Sequence, residues 1–427
     1  MTSVAIRGGE IVDATGTRRA DVVVEGGRIA AVVPGGADVA ADTVLDAGGC
    51  VVAPGLVDAH THLRQPGNEE AETVETGARA AALGGYTCIL AMPNTAPAID
   101  SAGVAREVLE LGRDAPCDVR TSAAITVGRL GEELTPMAEL AALGVRLFTD
   151  DGTGVQDATL MRHALEYARG LGVTLAQHCE DAVLAAGGAM HEGAWSSRLG
   201  LPGQPREAEE VMVLRDVALA RLTGGAVHFQ HLSTRRAIEI VGAAKAEGLP
   251  VTCEATPHHL SLTDERCAGY DPVFKVNPPL RSDDDVAAVR AGLADGTIDC
   301  IATDHAPHAP EAKELPFDEA PPGMLGLETA LAVALTHLDL PIAEVLALLS
   351  WRPAAVIGVA GEHGGPVAEG APANLCVVDP AATWTVDAGL LASRSRNTPY
   401  AGATLTGRVR HTLLAGEPVV VDGEARR

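Results

Sequence analysis

Aromatic residues are scarce in this chain, with four Phe, four Tyr and three Trp among 427 residues. Any core must therefore be assembled from Val, Leu, Ile and Ala. Lysine is scarcer still, limited to Lys245, Lys275 and Lys313. Positive charge is thus almost all arginine, and 57 acidic residues against 32 basic ones leave a net charge of −25. That field argues against nucleic acid and anionic membrane surfaces as partners. It also means that an anionic small molecule can bind only where Arg or His cluster locally. The eight cysteines form no CxxC pair and no compact spacing, which excludes a disulfide framework and points to a reducing compartment. No apolar run reaches transmembrane length without a charge. The opening MTSVAIRGGEIVD lacks the basic-then-apolar pattern of a secretory leader. The expectation is a soluble cytoplasmic protein.

What is present has a clear order. Residues 1–53 alternate short apolar runs with Gly turns ("VAIRGGEIVD", "ADVVVEGGRIAAVV"), a period of two that predicts hairpins. Residues 361–427 repeat that style in "NLCVVD" and "EPVVVDGE". The two ends are expected to build one small β-sandwich. Between them, residues 54–360 change character. Eight β-type runs can be counted: "GLVDAHTH", "YTCILAMPN", "DVRTSAAI", "VRLFTDD", "VTLAQHCE", "AVHFQHLS", "PVTCEATPHH" and "IDCIATDHAPH". Amphipathic stretches such as "DATLMRHALEYARGLG" and "STRRAIEIVGAAKAEG" separate most of them. Eight strand–helix units predict an α/β fold of the (β/α)8 TIM-type barrel. The long connections after strands five and eight fall on the face where such barrels carry their active sites.

The ends of these runs carry the polar groups. His60 and His62, one residue apart in an extended segment, point the same way. Arg64 follows after the first strand, Asn94 after the second, Asp150 and Asp151 after the fourth, His178 after the fifth, and His231 after the sixth. Asp304, His305 and His308 follow the eighth. Singly, each also fits a satisfied histidine or a capping aspartate. Converging on one rim, four imidazoles and two carboxylates match the ligand set of Zn²⁺, and with two ions one carboxylate must bridge.

With those motifs in view, the chain resembles the cyclic amidohydrolases of the amidohydrolase superfamily, and among them the bacterial class I dihydroorotases. "DAHTHLRQPG", "AMPNTAP", "FTDDG", "HCED", "HLST", "NPPLR", "ATDHAPH" and "PPGMLGLET" carry the likeness over about 55–330. The resemblance implies zinc-dependent, reversible cyclisation of N-carbamoyl-L-aspartate to L-dihydroorotate, in pyrimidine biosynthesis. It assigns His60, His62 and Asp304 to one zinc and His178 and His231 to a second. Asp151 then lies between the two, with Asp150 as the alternative, and Asp304 also serves as proton shuttle. It further implies that His62, Arg64, Asn94, Asn277, His308 and the backbone at Pro322 and Gly323 meet substrate. Relatives with a carboxylated bridging lysine carry it on strand four, where Arg146 is taken to stand here. Residues 308–324, rich in charge and Pro, are expected to form a mobile cover. His258 and His259 are read as orienting the rim, and His163, His191, His228, His337, His363 and His411 as structural and without partners. A homodimer and association with aspartate transcarbamoylase are the expected assemblies. The alternatives are another cyclic amidase (allantoinase or hydantoinase) and a non-catalytic scaffold subunit.

Overall fold

A computed structural model of the chain describes residues 3–37 and 40–426. Eight parallel strands form its centre: Leu56–Thr61, Tyr86–Ala91, Asp118–Thr121, Leu147–Thr149, Thr174–Gln177, Val227–Phe229, Val251–Ala255 and Cys300–Ile301. The first three pair in sequence order, as do the last five. Single parallel bridges, Ala123 to Phe148 and Thr61 to His305, join the two groups and close the ring. Closure removes the free sheet edges. All eight sequence-predicted strands are present, each shorter than the motif that announced it.

Helices follow the strands for local reasons. Thr73 caps Val74–Leu83, and Thr76 returns a side-chain bond to the Thr73 N–H. Asp157 caps Ala158–Leu171, and Thr234 caps Arg235–Ala246. Each such cap is worth about 1 kcal/mol, and each starts a helix on the connection that leaves a strand's polar end. The packing is aliphatic: Val, Leu, Ile and Ala dominate the buried residues, with Tyr86, Phe148 and Phe229 the few fully buried aromatics.

The terminal strands join one ten-stranded sheet. Strand Leu375–Thr385 pairs antiparallel with Val51–Pro54, Val377 opposite Val52. Residues Val4, Ile11, Val22, Val52, Leu375 and Val377 share one apolar core. Val51–Pro54 runs almost directly into the first barrel strand, so the sheet anchors the segment that carries His60 and His62.

The connection after strand five is not bare loop. It holds the paired strands Met190–His191 and Gly203–Gln204, followed by helix Glu207–Thr223. The 308–324 cover folds against the barrel mouth. Lys313 Nζ donates to the carbonyls of Pro272 (3.0 Å), Lys275 (3.3 Å) and Pro321 (2.7 Å). Lys275 Nζ donates to Asp318 O at 2.9 Å. Two of the three lysines thus hold the segment expected to be mobile. Among the described residues no helix is long and apolar enough to cross a membrane.

Candidate metal centre and substrate pocket

At the C-terminal mouth, six side chains named from the sequence come together. Asp151 sits among four imidazoles. Its Oδ1 is 3.3 Å from His60 Nε2, 3.7 Å from His178 Nδ1 and 3.8 Å from His231 Nε2, and its Oδ2 is 3.6 Å from His62 Nε2. Asp304 lies on the His60/His62 side, 3.0 Å from His62 Nε2 and 3.5 Å from His60 Nε2. Ligand atoms bound at 2.0–2.1 Å around a tetrahedral zinc stand about 3.3 Å apart, and most of these separations lie near that value. His178 Nδ1 and His231 Nε2 approach more closely, at 2.8 Å. His60 Nε2 is fully buried and finds no hydrogen-bond partner among the described residues. A buried imidazole nitrogen without a partner, facing two carboxylates, fits a cation.

Electrostatics agree. Burial alone would push the Asp151 and Asp304 carboxyls up, but the surrounding histidines, His60 foremost, hold both well below the usual range. Burial would likewise lower His178, yet Asp151 and Glu180 raise it to about 10. Two buried ionised carboxylates with imidazoles turned toward them form a site that demands positive charge.

The backbone is bent to make it. Arg64 (φ 60°), His231 (φ 34°) and Asp304 (φ 46°) all occupy the left-handed region that non-glycine residues rarely adopt. Asp150 belongs elsewhere: it accepts from the N–H groups of Ile125 (2.8 Å) and Thr126 (3.0 Å) and from the Thr126 hydroxyl. It ties strand four to the end of strand three. Arg146 corrects the sequence reading. It precedes Leu147–Thr149, at the far end of that strand from the site, and donates to the carbonyls of Ala141 and Val145. The mouth end of strand four is occupied by Asp150 and Asp151 instead.

A cavity of about 190 Å³ opens over these groups. It is lined by His62, Arg64, Asn94, Asp151, Asn277 and His308, with the backbone at Pro322 and Gly323. Arg64 Nε donates to Pro307 O at 3.0 Å, fixing one side of the guanidinium. Asn94 is pinned: Oδ1 accepts from His62 Nδ1 (2.9 Å) and Nδ2 donates to Asp151 Oδ2 (3.2 Å), leaving one N–H uncommitted. Asn277 donates to Glu180 Oε2 at 2.7 Å. His308 Nε2 donates to Pro322 O at 2.8 Å. Burial and the Arg64 charge lower His308 to about 3, so its Nδ1 carries a lone pair. Gly323 has φ 145°, and a Cβ there would come within 2.7 Å of His308 Nε2. Its N–H donates to Lys275 O (2.9 Å), so that donor is engaged within the fold and not free to read a substrate.

Comparison with known proteins gives the family. The dihydro-orotase-like family model matches residues 49–237. A dihydroorotase of Streptomyces coelicolor is 49% identical over 433 aligned positions, covering 99% of this chain and 100% of that protein. One from Mycobacterium leprae is 50% identical, covering 93% of this chain and 94% of the relative. The chain belongs to the dihydroorotase family. Among solved structures, the L-hydantoinase (dihydropyrimidinase) from Arthrobacter aurescens is similar with TM-score 0.89 at 26% identity, covering 100% of this chain and 98% of that one. The D-hydantoinase (dihydropyrimidinase) from Thermus sp. gives 0.83 at 25%, covering 99% and 96%. The barrel-plus-sandwich architecture and the metal-dependent hydrolase class follow.

Sequence reasoning missed several buried polar residues beneath the site. Glu254 accepts from His60, and Gln230 from Thr149. Glu72 is bonded to His305, the residue after Asp304, and to Ser393. For Glu254 the available signal was a charged side chain inside an otherwise apolar strand. Nor are the "structural" histidines without partners. His191 meets Arg281 Nη1 at 3.2 Å, and His363 meets Thr87 at 3.1 Å and Asp118 at 2.9 Å. His259 is bonded to Thr256 and to Pro278 O.

Proposed function

We propose that the chain interconverts N-carbamoyl-L-aspartate and L-dihydroorotate, with two zinc ions at the mouth of the barrel. One observation carries the reading: a carboxylate, Asp151, lies between two pairs of imidazoles on the same cavity as Arg64. His60, His62 and Asp304 would hold one ion, His178 and His231 the other, and Asp151 both. Bound there, the metals supply a hydroxide at neutral pH and polarise a carbonyl oxygen.

The chain's own groups do the rest. Arg64 presents a planar fork to the substrate carboxylate, with the free N–H of Asn94 and the His308 ring beside it. Asn277, oriented by Glu180, faces the ring amide. In the hydrolytic direction, attack at the ring amide carbonyl releases a proton, which Asp304 accepts and passes to the departing nitrogen. Ionised and placed beside His60 and His62, Asp304 is free to accept first, and the acid so formed is strong enough to donate second.

The likeness to hydantoinases keeps a second cyclic-amidase reading in view, and the Arg64 wall discriminates. The test compares dihydroorotate with 5,6-dihydrouracil, the same ring without the carboxylate, on the purified protein. Strong preference for dihydroorotate supports the proposal; equal hydrolysis of both would transfer it to the hydantoinase-like reading. All eight cysteines are free and buried, which supports a reducing, cytoplasmic setting. Exposed Val211, Leu214 and Leu222 on one helix support self-association.

A further inference from the structure

Beneath the proposed metal centre, a run of hydrogen bonds crosses the barrel interior from strand one to strand seven and back to strand six. His60 Nδ1 lies 2.7 Å from Glu254 Oε1, Glu254 Oε2 lies 3.0 Å from His228 Nε2, and His228 Nδ1 lies 2.8 Å from Thr252 Oγ1. His60, His228 and Glu254 are each at most 1% exposed. Thr252 precedes Glu254 by two residues on the same strand, so both side chains point to one face.

We infer that Glu254, backed by His228 and Thr252, is a positioning residue that fixes which nitrogen of His60 is available to a metal. The proton assignments are mutually consistent. A carboxylate accepts only, so His60 must carry its proton on Nδ1 and His228 on Nε2. His228 Nδ1 is then a lone pair, which the Thr252 hydroxyl satisfies by donating. With Nδ1 committed to Glu254, Nε2 is the one nitrogen of His60 whose lone pair a metal can take; it is buried without a hydrogen-bond partner among the described residues and faces Asp151 and Asp304. Gln230 Nε2 lies 3.2 Å from His60 Nδ1; with the proton on Nδ1 this is contact, not a hydrogen bond. A carboxylate on the distal nitrogen of a ligating imidazole also raises its basicity. Neither His228 nor Glu254 lines the substrate cavity; Glu254 Oε1 also accepts from the His231 N–H at 3.4 Å, so its effect reaches the site through His60 first and the His231 backbone second.

This inference rests on the metal-centre reading above. Its test measures zinc affinity by competition with a chelating dye, independent of turnover, on the full chain and on Glu254→Gln, Thr252→Val and the double variant. Melting of each metal-free protein is recorded alongside. Glu254→Gln keeps the shape but loses the charge, and is expected to weaken zinc binding at the His60 site about tenfold, within the 10–100-fold range for such partners. The glutamine can still accept from His60 if its amide group faces His228, which then moves its proton to Nδ1 and donates to Thr252. Thr252→Val alone should cost no more than about threefold, the scale of one neutral hydrogen bond. Together they block that rearrangement, so the double variant should lose more than the product of the single effects, with metal-free melting close to that of the unaltered chain.

Additive effects, undiminished affinity in Glu254→Gln, or losses that merely track metal-free melting would each overturn the inference. Failure of the unaltered chain to bind zinc at all would instead remove the metal-centre reading itself.

Discussion

Among the described residues, two clusters of histidine and carboxylate lie at opposite ends of the barrel, and of those two only the one at the mouth is short of partners. At the mouth, four imidazoles surround two carboxylates, and His60 Nε2 has no hydrogen bond among the described residues. At the opposite end, Cys88, Asp118 and His363 also lie within ligand distance of one another. There, however, the bonds close. His363 uses both ring nitrogens, on Thr87 and Asp118. Arg120 donates twice to Asp118, at 2.9 and 2.7 Å, and once to Glu362 at 2.6 Å. A guanidinium already supplies the charge that Asp118 needs. The mouth also holds three non-glycine residues at positive φ, Arg64, His231 and Asp304, whereas Asp118, His363 and Arg120 are unstrained. Residue types and spacing alone do not mark a metal site; unmet bonding capacity and backbone strain do.

Substitutions should separate the two ends. The largest effect is expected for Asp151→Ala, which should lose most bound metal and reduce activity about 10³-fold or more, the scale of losing several kcal/mol of charge stabilisation. Full zinc occupancy in that variant, measured by elemental analysis, would show that the carboxylate does not bridge. Asp304→Asn should retain part of its zinc yet lose about 10²–10³-fold in rate as the proton shuttle is removed. A rate within a tenth of the original would assign that proton elsewhere.

Arg64→Met should leave zinc content unchanged, because arginine offers a metal no lone pair. Catalytic efficiency on dihydroorotate should fall by about 2–4 kcal/mol of transition-state binding. Arg64→Lys, which keeps charge without the fork, should fall less. Preference over dihydrouracil should narrow in both, and an unchanged preference would remove the carboxylate clamp.

At the opposite end, His363→Ala should alter neither zinc content nor kcat/KM, and should lower stability by about 1–3 kcal/mol through Thr87 and Asp118 losing a buried partner. Metal loss in this variant would erase the distinction between the clusters.

The smallest effect concerns Glu328, remote from both. Burial raises its carboxyl to about 7 from the ordinary 4.5. The folded state therefore binds the proton more tightly than the unfolded chain, and stability is lost as pH rises from about 4.5 through 7. Glu328→Gln should raise the melting temperature at pH 8 and make no difference near pH 4, with a gain of about 1 kcal/mol at the higher pH. The amide oxygen can still accept from the N–H groups of Ala392 and Ser393, as the carboxylate does.

Much of this was legible in the sequence because each strand ends in a polar residue that its apolar run makes conspicuous. His178 after "VTLAQ" and Asp304 after "IDCIAT" are read directly from that contrast. Glu254 was hidden for the opposite reason: it sits inside its strand, between Cys253 and Ala255, and its partners come from strands one and six. Arg146 was misread because a motif gives strand order but not where the strand begins, and here the first strand residue is Leu147. In the sequence His363 reads as structural and without partners, because Thr87 and Asp118, which it bonds, lie more than two hundred residues upstream.

The central claim is that Asp151 joins two metals that the reaction requires. The most direct test is to strip the protein with a chelator, return zinc in measured increments, and follow bound zinc per chain together with dihydroorotate hydrolysis. The account predicts no activity in the stripped protein, recovery with added zinc, and a plateau at two zinc per chain. Full activity without metal, or a plateau at one zinc per chain, would contradict it.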